Sequence, residues 1–145
     1  MQNESEIEII RTDWSTHRDD LMAVRRAVFV VEQAVPEDED CDAEDLQSEH
    51  FMALTGKRDV VGVGRLQDDA KITRMAVLSS WRGHRIGALL LESMLQRASE
   101  RGVIPWMHAQ AHAIDFYRKF GFEIVGEPFD EAGIAHYMMR LAGER

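Results

Sequence analysis

This chain of 145 residues predicts one α/β domain of the α+β kind, a mixed sheet with helices packed on its faces. Three observations carry the expectation. Three strand-like stretches lie between residues 51 and 77, joined by turns short enough for an antiparallel meander. A strongly amphipathic segment, Arg85 to Arg101, comes after them. Helical and strand-like segments then alternate, so the order reads β-α-loop-βββ-α-β-α-ββ.

Residues Ile7 to Arg11 read as a short first strand. Ser15 or Thr16 is expected to cap the next helix, in which Leu21, Val24 and Val28 recur at i, i+3 and i+7. Pro36 and the acidic residues after it end that helix in a loop. The meander comprises Phe51 to Thr55, Val60 to Leu66 and Lys71 to Val77, with turns at Gly56 beside Arg58-Asp59 and at Asp68-Asp69. Between Arg85 and Arg101, Ile86, Leu90, Leu91, Met94, Leu95 and Ala98 share one helical face, and Glu92, Gln96, Ser99 and Glu100 share the other. Gly102 supplies a left-handed stop. Pro105 to Ala109 is the next strand, and Ala113 to Phe120 a short helix ended by Gly121. Phe122 to Val125 and about Ala135 to Leu141 are the last two strands. No repeat, low-complexity tract or linker interrupts this order, so residues 1–145 are expected to form a single domain.

Composition narrows the function. Hydrophobic residues make up 45% and charged residues 30%, enough for a core without disulfides or a structural metal. The lone Cys41 cannot form an internal disulfide and suits a reducing, cytoplasmic setting. The start from Met1 to Glu6 is acidic and polar, unlike a secretory leader, and no apolar run is long enough to cross a bilayer. Net charge is −9. Nine of the 26 acids lie between Glu32 and Glu49, where there is no Lys or Arg, and the other 17 balance the 17 basic residues. There is no basic stripe for nucleic acid. Asp38, Asp40, Asp42 and Glu49 have the spacing of positions 1, 3, 5 and 12 of a calcium loop. Ala43 occupies the position that needs glycine and a strand follows in place of a helix, so no metal site is expected.

The segment Arg74 to Ala88 runs from a strand through a glycine-containing loop into the amphipathic helix. The first N–H groups of that helix have no intrahelical partner, and the helix dipole adds partial positive charge. Gly83 and Gly87 let a ligand approach the backbone, and Arg82 and Arg85 add cations. These features make a cradle for a phosphate or pyrophosphate. Neither a Walker A loop nor a G-x-G-x-x-G fingerprint is present.

Arg82-Gly83-His84-Arg85-Ile86-Gly87-Ala88 closely resembles the GNAT superfamily loop Arg/Gln-x-x-Gly-x-Gly/Ala, with Arg85 where the family more often has glycine. Gln110, Ala113, Phe116, Tyr117, Gly121 and Phe122 are similar to the family's Asn-x-x-Ala-x-x-Phe-Tyr-x-x-x-Gly-Phe stretch, with Gln110 replacing asparagine. Val28 to Gln33 with Pro36, His50, Ala109 to His112 and Gly133 to Met138 resemble the ElaA-like branch. The resemblance implies a mostly antiparallel sheet with one splayed parallel pair of strands. It implies acetyl-CoA as co-substrate, the pyrophosphate on Arg82, Gly83, His84, Arg85, Ile86, Gly87 and Ala88, and the pantetheine arm between Met75-Ala76-Val77 and Trp106-to-Gln110. Gln110, Phe116 and Tyr117 complete the cofactor-side set.

Acetyl transfer to an amine needs a placed thioester, an oxyanion donor and a proton for the thiolate. A backbone N–H near Val77 is the expected donor, and Tyr117 the expected acid, since a phenol with pKa near ~10 is protonated at neutral pH. His50, Glu32 and His136, which the narrower resemblance puts on the acceptor side, are the candidate bases. The acidic run is expected to wall the acceptor cleft and favour a small cationic amine. A monomer or homodimer without membrane or nucleic-acid partners is expected. The alternatives are a non-catalytic acyl-CoA-binding module and a transferase of longer acyl groups.

Overall fold

The computed structural model describes residues 6–35 and 41–143. Met1 to Ser5 lie outside it, as do Pro36, Glu37, Asp38, Glu39 and Asp40, so the predicted break at Pro36 and four acids of the acidic run fall outside the described residues.

Strand β1 (Glu8–Thr12) leads into helix α1 (Trp14–Arg25). Its cap is Asp13, whose carboxylate accepts the Thr16 N–H at 2.8 Å, in place of the predicted Ser15 or Thr16. Trp14 is already helical and buried, so the cap must precede it. After α1 the apolar run Arg26–Glu32 winds as a π-helical turn. The extra residue per turn is a feature that often accompanies functional sites.

The predicted meander is present as β2 (Glu49–Leu54), β3 (Val60–Leu66) and β4 (Ile72–Val77). With β1 at the edge they form an antiparallel sheet in the order β1-β2-β3-β4. Helix α2 (Ile86–Arg101) packs Ile86, Leu90, Leu91, Met94 and Ala98 against it, all essentially buried. Gly62 and Gly64 permit that approach, because a Cβ on either would stand 2.8 Å from Ile86 Cγ2 or 2.7 Å from Met94 Cε. Gly102 ends the helix at φ 70°, as predicted. On the opposite face Leu21, Val24 and Val28 pack with Trp14, Met52, Val63 and Ala76.

Strand β5 (Trp106–Gln110), helix α3 (Ile114–Arg118), β6 (Phe122–Glu131) and β7 (Ile134–Leu141) complete the chain, and the second sheet has the order β5-β7-β6. β6 runs six residues beyond the predicted Val125. Gly126-Glu127-Pro128 reads as a turn, yet it is a bulge: Val125 pairs with Met138 and pairing resumes at Phe129 with His136.

A buried ion network fixes the chain before β2. Asp45, 2% exposed, accepts from Arg25 at 2.8 Å and from Arg65 at 2.9 Å, and Arg65 also donates to Asp42 at 2.6 Å. Burial alone would raise the Asp45 carboxyl, but the hydrogen bonds and charges of Arg25 and Arg65 outweigh it and hold it below 3.8. Asp42, opposed by Arg65 and Arg74, is lowered in the same way.

Candidate active site

Two strands from different sheets make the frame. β4 and β5 run parallel and meet at one bridge, Lys71 to Trp106, where the Trp106 N–H donates to the Ala70 carbonyl at 3.2 Å. Beyond that point they separate. A bulge in β4 contributes, since Val63 pairs with Ala76 and Arg65 with Thr73, leaving Arg74 and Met75 opposite Gly64 alone. Arg74 adopts φ 54°, the left-handed conformation such a kink needs. Leu78 N–H donates to the Val61 carbonyl at 2.9 Å. Successive peptide groups alternate between strand edges, so the Val77 N–H and C=O face away from β3 and toward the gap.

One cavity, of about 570 Å³, lies at the start of α2. Gly83, Arg85, Gly87 and Ala88 line it with Val77 and Phe116, and Trp81, Lys119 and Phe120 add walls that the sequence reading did not single out. Gly83 has φ 85° and Arg85 φ 61°, so Arg85 caps the helix in a glycine-like conformation. That explains why glycine serves the family at this position. The Arg85 guanidinium stands 3.7 Å from Glu92, which lines the same cavity. The open N–H groups of α2, two glycines and nearby cations fit a bound pyrophosphate.

A second cavity, of about 520 Å³, opens on the α1 side of the sheets. Phe29, Gln33 and Val35 wall it from the π-helical turn, Met75 and Arg74 from β4, and His108 and Gln110 from β5. His136 and Glu131 close it from the β6–β7 hairpin. Tyr117 lines this cavity while its neighbour Phe116 lines the first, the two rings 5.2 Å apart at 70°. Burial pushes the Tyr117 phenol above 10.0 and keeps it a proton donor.

The Acetyltransferase (GNAT) domain family matches residues 15–142. The chain belongs to the GNAT family. It is 35% identical to Escherichia coli ElaA over 82% of this chain and 83% of that one, and the crystal structure of E. coli ElaA superposes at TM-score 0.82, covering 94% and 99%. The uncharacterized N-acetyltransferase YjcF of Bacillus subtilis is 35% identical, covering 83% and 89%. An acyl-CoA N-acyltransferase from Pseudomonas aeruginosa superposes at TM-score 0.83 with 29% identity, covering 94% and 99%. These likenesses place the chain in the ElaA-like branch of the GNAT family.

Within this GNAT frame the predicted residues divide. Met75, Gln110, Tyr117 and His136 line the second cavity; Val77, Arg82, Gly83, Arg85, Ile86, Gly87, Ala88 and Phe116 line the first. Ala76 and His84 line neither: Ala76 is buried against α1, and the His84 ring lies 5.4 Å from Trp81, tilted by 55°. Arg82 is committed elsewhere. Its guanidinium makes two 2.9 Å bonds to Glu32 and donates to the Val77 carbonyl at 3.0 Å, so it braces the loop.

Two candidate bases, Glu32 and His50, stand apart from both cavities. Glu32 lines neither cavity and is engaged by Arg82 through both oxygens. His50, 1% exposed, lies inside the ion network and donates Nε2–H to the Asp45 carbonyl at 2.8 Å, beside Trp14. Burial drives its pKa below 6.5, and it lines neither cavity. The acidic run is also less free than its formal charge suggests. Glu32, Asp42, Asp45 and Glu49 all pair with arginines, Glu49 with Arg97 at 2.8 Å.

Proposed function

We propose that the protein transfers the acetyl group of acetyl-CoA to a primary amine on a small cationic acceptor. The observation that carries this reading is the pair of cavities lined by β4, Met75 on one and Val77 on the other, and by the neighbours Tyr117 and Phe116 in the same way. The pyrophosphate lies on the N–H groups from Gly83 to Ala88, steadied by Arg85 and Lys119, and the pantetheine amides follow the inner edge of β4. The Val77 N–H receives the carbonyl oxygen as it becomes an oxyanion. The neutral amine nitrogen bonds to the carbonyl carbon, the C–S bond breaks, and Tyr117 gives its proton to the thiolate. The second proton on nitrogen then restores the phenol. Membership of the GNAT family supports acyl transfer, and holding the two reactants in adjoining cavities supports a large proximity contribution.

The test is thiol release from acetyl-CoA with and without primary amines, product mass confirming the amide. Amine-dependent release is expected. If CoA binds but no amine stimulates release, the protein is a binding module. If butyryl- or octanoyl-CoA is used faster than acetyl-CoA, the donor assignment is wrong.

A further inference from the structure

The second cavity holds a cluster that the acyl-transfer scheme leaves unused. Glu131 is the only carboxylate among the described residues lining it. Its Oε1 accepts His108 Nδ1–H at 3.0 Å, and its Oε2 stands 3.5 Å from His136 Nε2. Past the Gly126-to-Pro128 bulge, pairing resumes with Phe129 opposite His136 and Glu131 opposite Ile134, and the Phe129 ring packs on His108 at 4.8 Å and on His136 at 6.1 Å. Glu131 itself is about half exposed, as a group that meets an incoming ligand must be.

His136 is built to take a proton on one side only. Its Nδ1–H donates to the Ile134 carbonyl at 2.8 Å, so in the neutral ring the lone pair is on Nε2, opposite the Glu131 carboxylate. A proton arriving at Nε2 completes an imidazolium–carboxylate pair. The other charges on this cavity, Lys71 and Arg74, are cations; Lys71 lies over the Trp106 ring at 5.2 Å and Arg74 donates to Asp42 at 3.1 Å. An ammonium group entering the cavity is therefore repelled by β4 and attracted to the hairpin.

We propose that Glu131, held between His108 and His136, binds the acceptor's ammonium group, and that the Glu131–His136 couple receives the proton it must lose before attack. This rests on the acetyltransferase reading and specifies it. The R–NH₃⁺ group gives one proton to the couple and becomes R–NH₂, whose lone pair then attacks the thioester carbon. The couple releases that proton to water after turnover. The net reaction of ammonium and acetyl-CoA yields amide, CoA thiol and one proton.

Glu131→Gln keeps an oxygen to accept the His108 N–H, so it preserves the hairpin contact and removes the charge. With n-butylamine or spermidine it is expected to lower kcat/KM about 10- to 100-fold, the worth of a charge-assisted contact. KM for the amine rises, CoA affinity is unchanged, and Glu131→Asp recovers part of the loss. Equal kcat/KM in wild type and Glu131→Gln overturns the proposal. If wild type acetylates no amine, the acetyltransferase reading fails separately, and a second measurement decides the Glu131 site. In the CoA-loaded protein, n-butylammonium is expected to shift the His108 and His136 imidazole resonances and n-butanol is not, with the shift lost in Glu131→Gln. Resonances that ignore the ammonium in wild type sink the proposal.

Discussion

Arg85 and Lys119 are the cations left to the cofactor cavity once Arg82 is occupied by Glu32 and the Val77 carbonyl. Changing both to Glu is expected to weaken CoA binding about 10-fold or more, since charge-assisted phosphate contacts are the strong ones. Calorimetry reads this directly, and unchanged affinity rejects the loop as the pyrophosphate site. Arg85→Gly is expected to lose less. It removes a charge but also relieves a left-handed residue at φ 61°, a conformation that costs a residue with a Cβ about 1–2 kcal/mol. Tyr117→Phe separates chemistry from binding. Turnover should fall about 10²-fold or more with CoA affinity intact, because the phenol's proton is needed only as the thiolate leaves. Burial lifts that phenol above its ordinary 10.0, so an alkaline fall in kcat that Tyr117 causes lies at higher pH than an ordinary phenol would give.

At the scale of elements, the short 3₁₀ turn Ala43–Leu46 is held by charge more than by apolar contact. Asp45 is its buried residue, clamped by Arg25 of α1 and Arg65 of β3. Asp45→Asn removes the carboxylate that Arg25 and Arg65 share, although Arg65 keeps Asp42, and a loss of about 3–5 kcal/mol in chemical denaturation is expected. The same network sets the response to acid. His50 has a folded pKa below its ordinary 6.5, so its contribution to stability is complete above pH 6.5. It declines as the pH falls below that value, where the unfolded chain takes up a proton first. Asp42 and Asp45, both lowered from 3.8, add a second loss below about pH 4. A two-stage acid loss in the denaturation midpoint is expected, and His50→Gln should flatten the upper stage.

Across the whole molecule, what was legible in the sequence followed periodicity and special backbone positions. Val60 to Leu66 and the α2 face from Ile86 to Ala98 stand where they were expected, and Gly102 and Gly121 both sit at positive φ. The shape of the loop before α2 was legible because it rests on backbone conformation, which Gly83 reveals with φ 85°. The acceptor side was not. Glu131 reaches its cavity through a bulge that looks like a terminating turn, and His50 is 20 or more positions from Arg25, whose guanidinium helps to hold it neutral. Counting charges along the chain also cannot reveal that Asp42, Asp45 and Glu49 are matched by arginines distant in sequence.

The divergence of β4 from β5 has a consequence for solution behaviour. Past the Lys71–Trp106 bridge, the facing edges of the two strands have no strand partner between them among the described residues. Such an edge is a template for any extended chain that offers peptide groups, including another copy of this protein. A pantetheine arm carries two amides in an extended chain and would occupy that template as a substitute strand. CoA should therefore do more than raise the melting temperature by mass action. It should slow aggregation of the folded protein at temperatures well below melting, where global unfolding is negligible. Dephospho-CoA, which keeps both amides, should protect at matched occupancy, and ADP, which fills only the phosphate cradle, should not. Light scattering at fixed temperature reads the difference, and equal protection by ADP would locate the aggregating surface elsewhere.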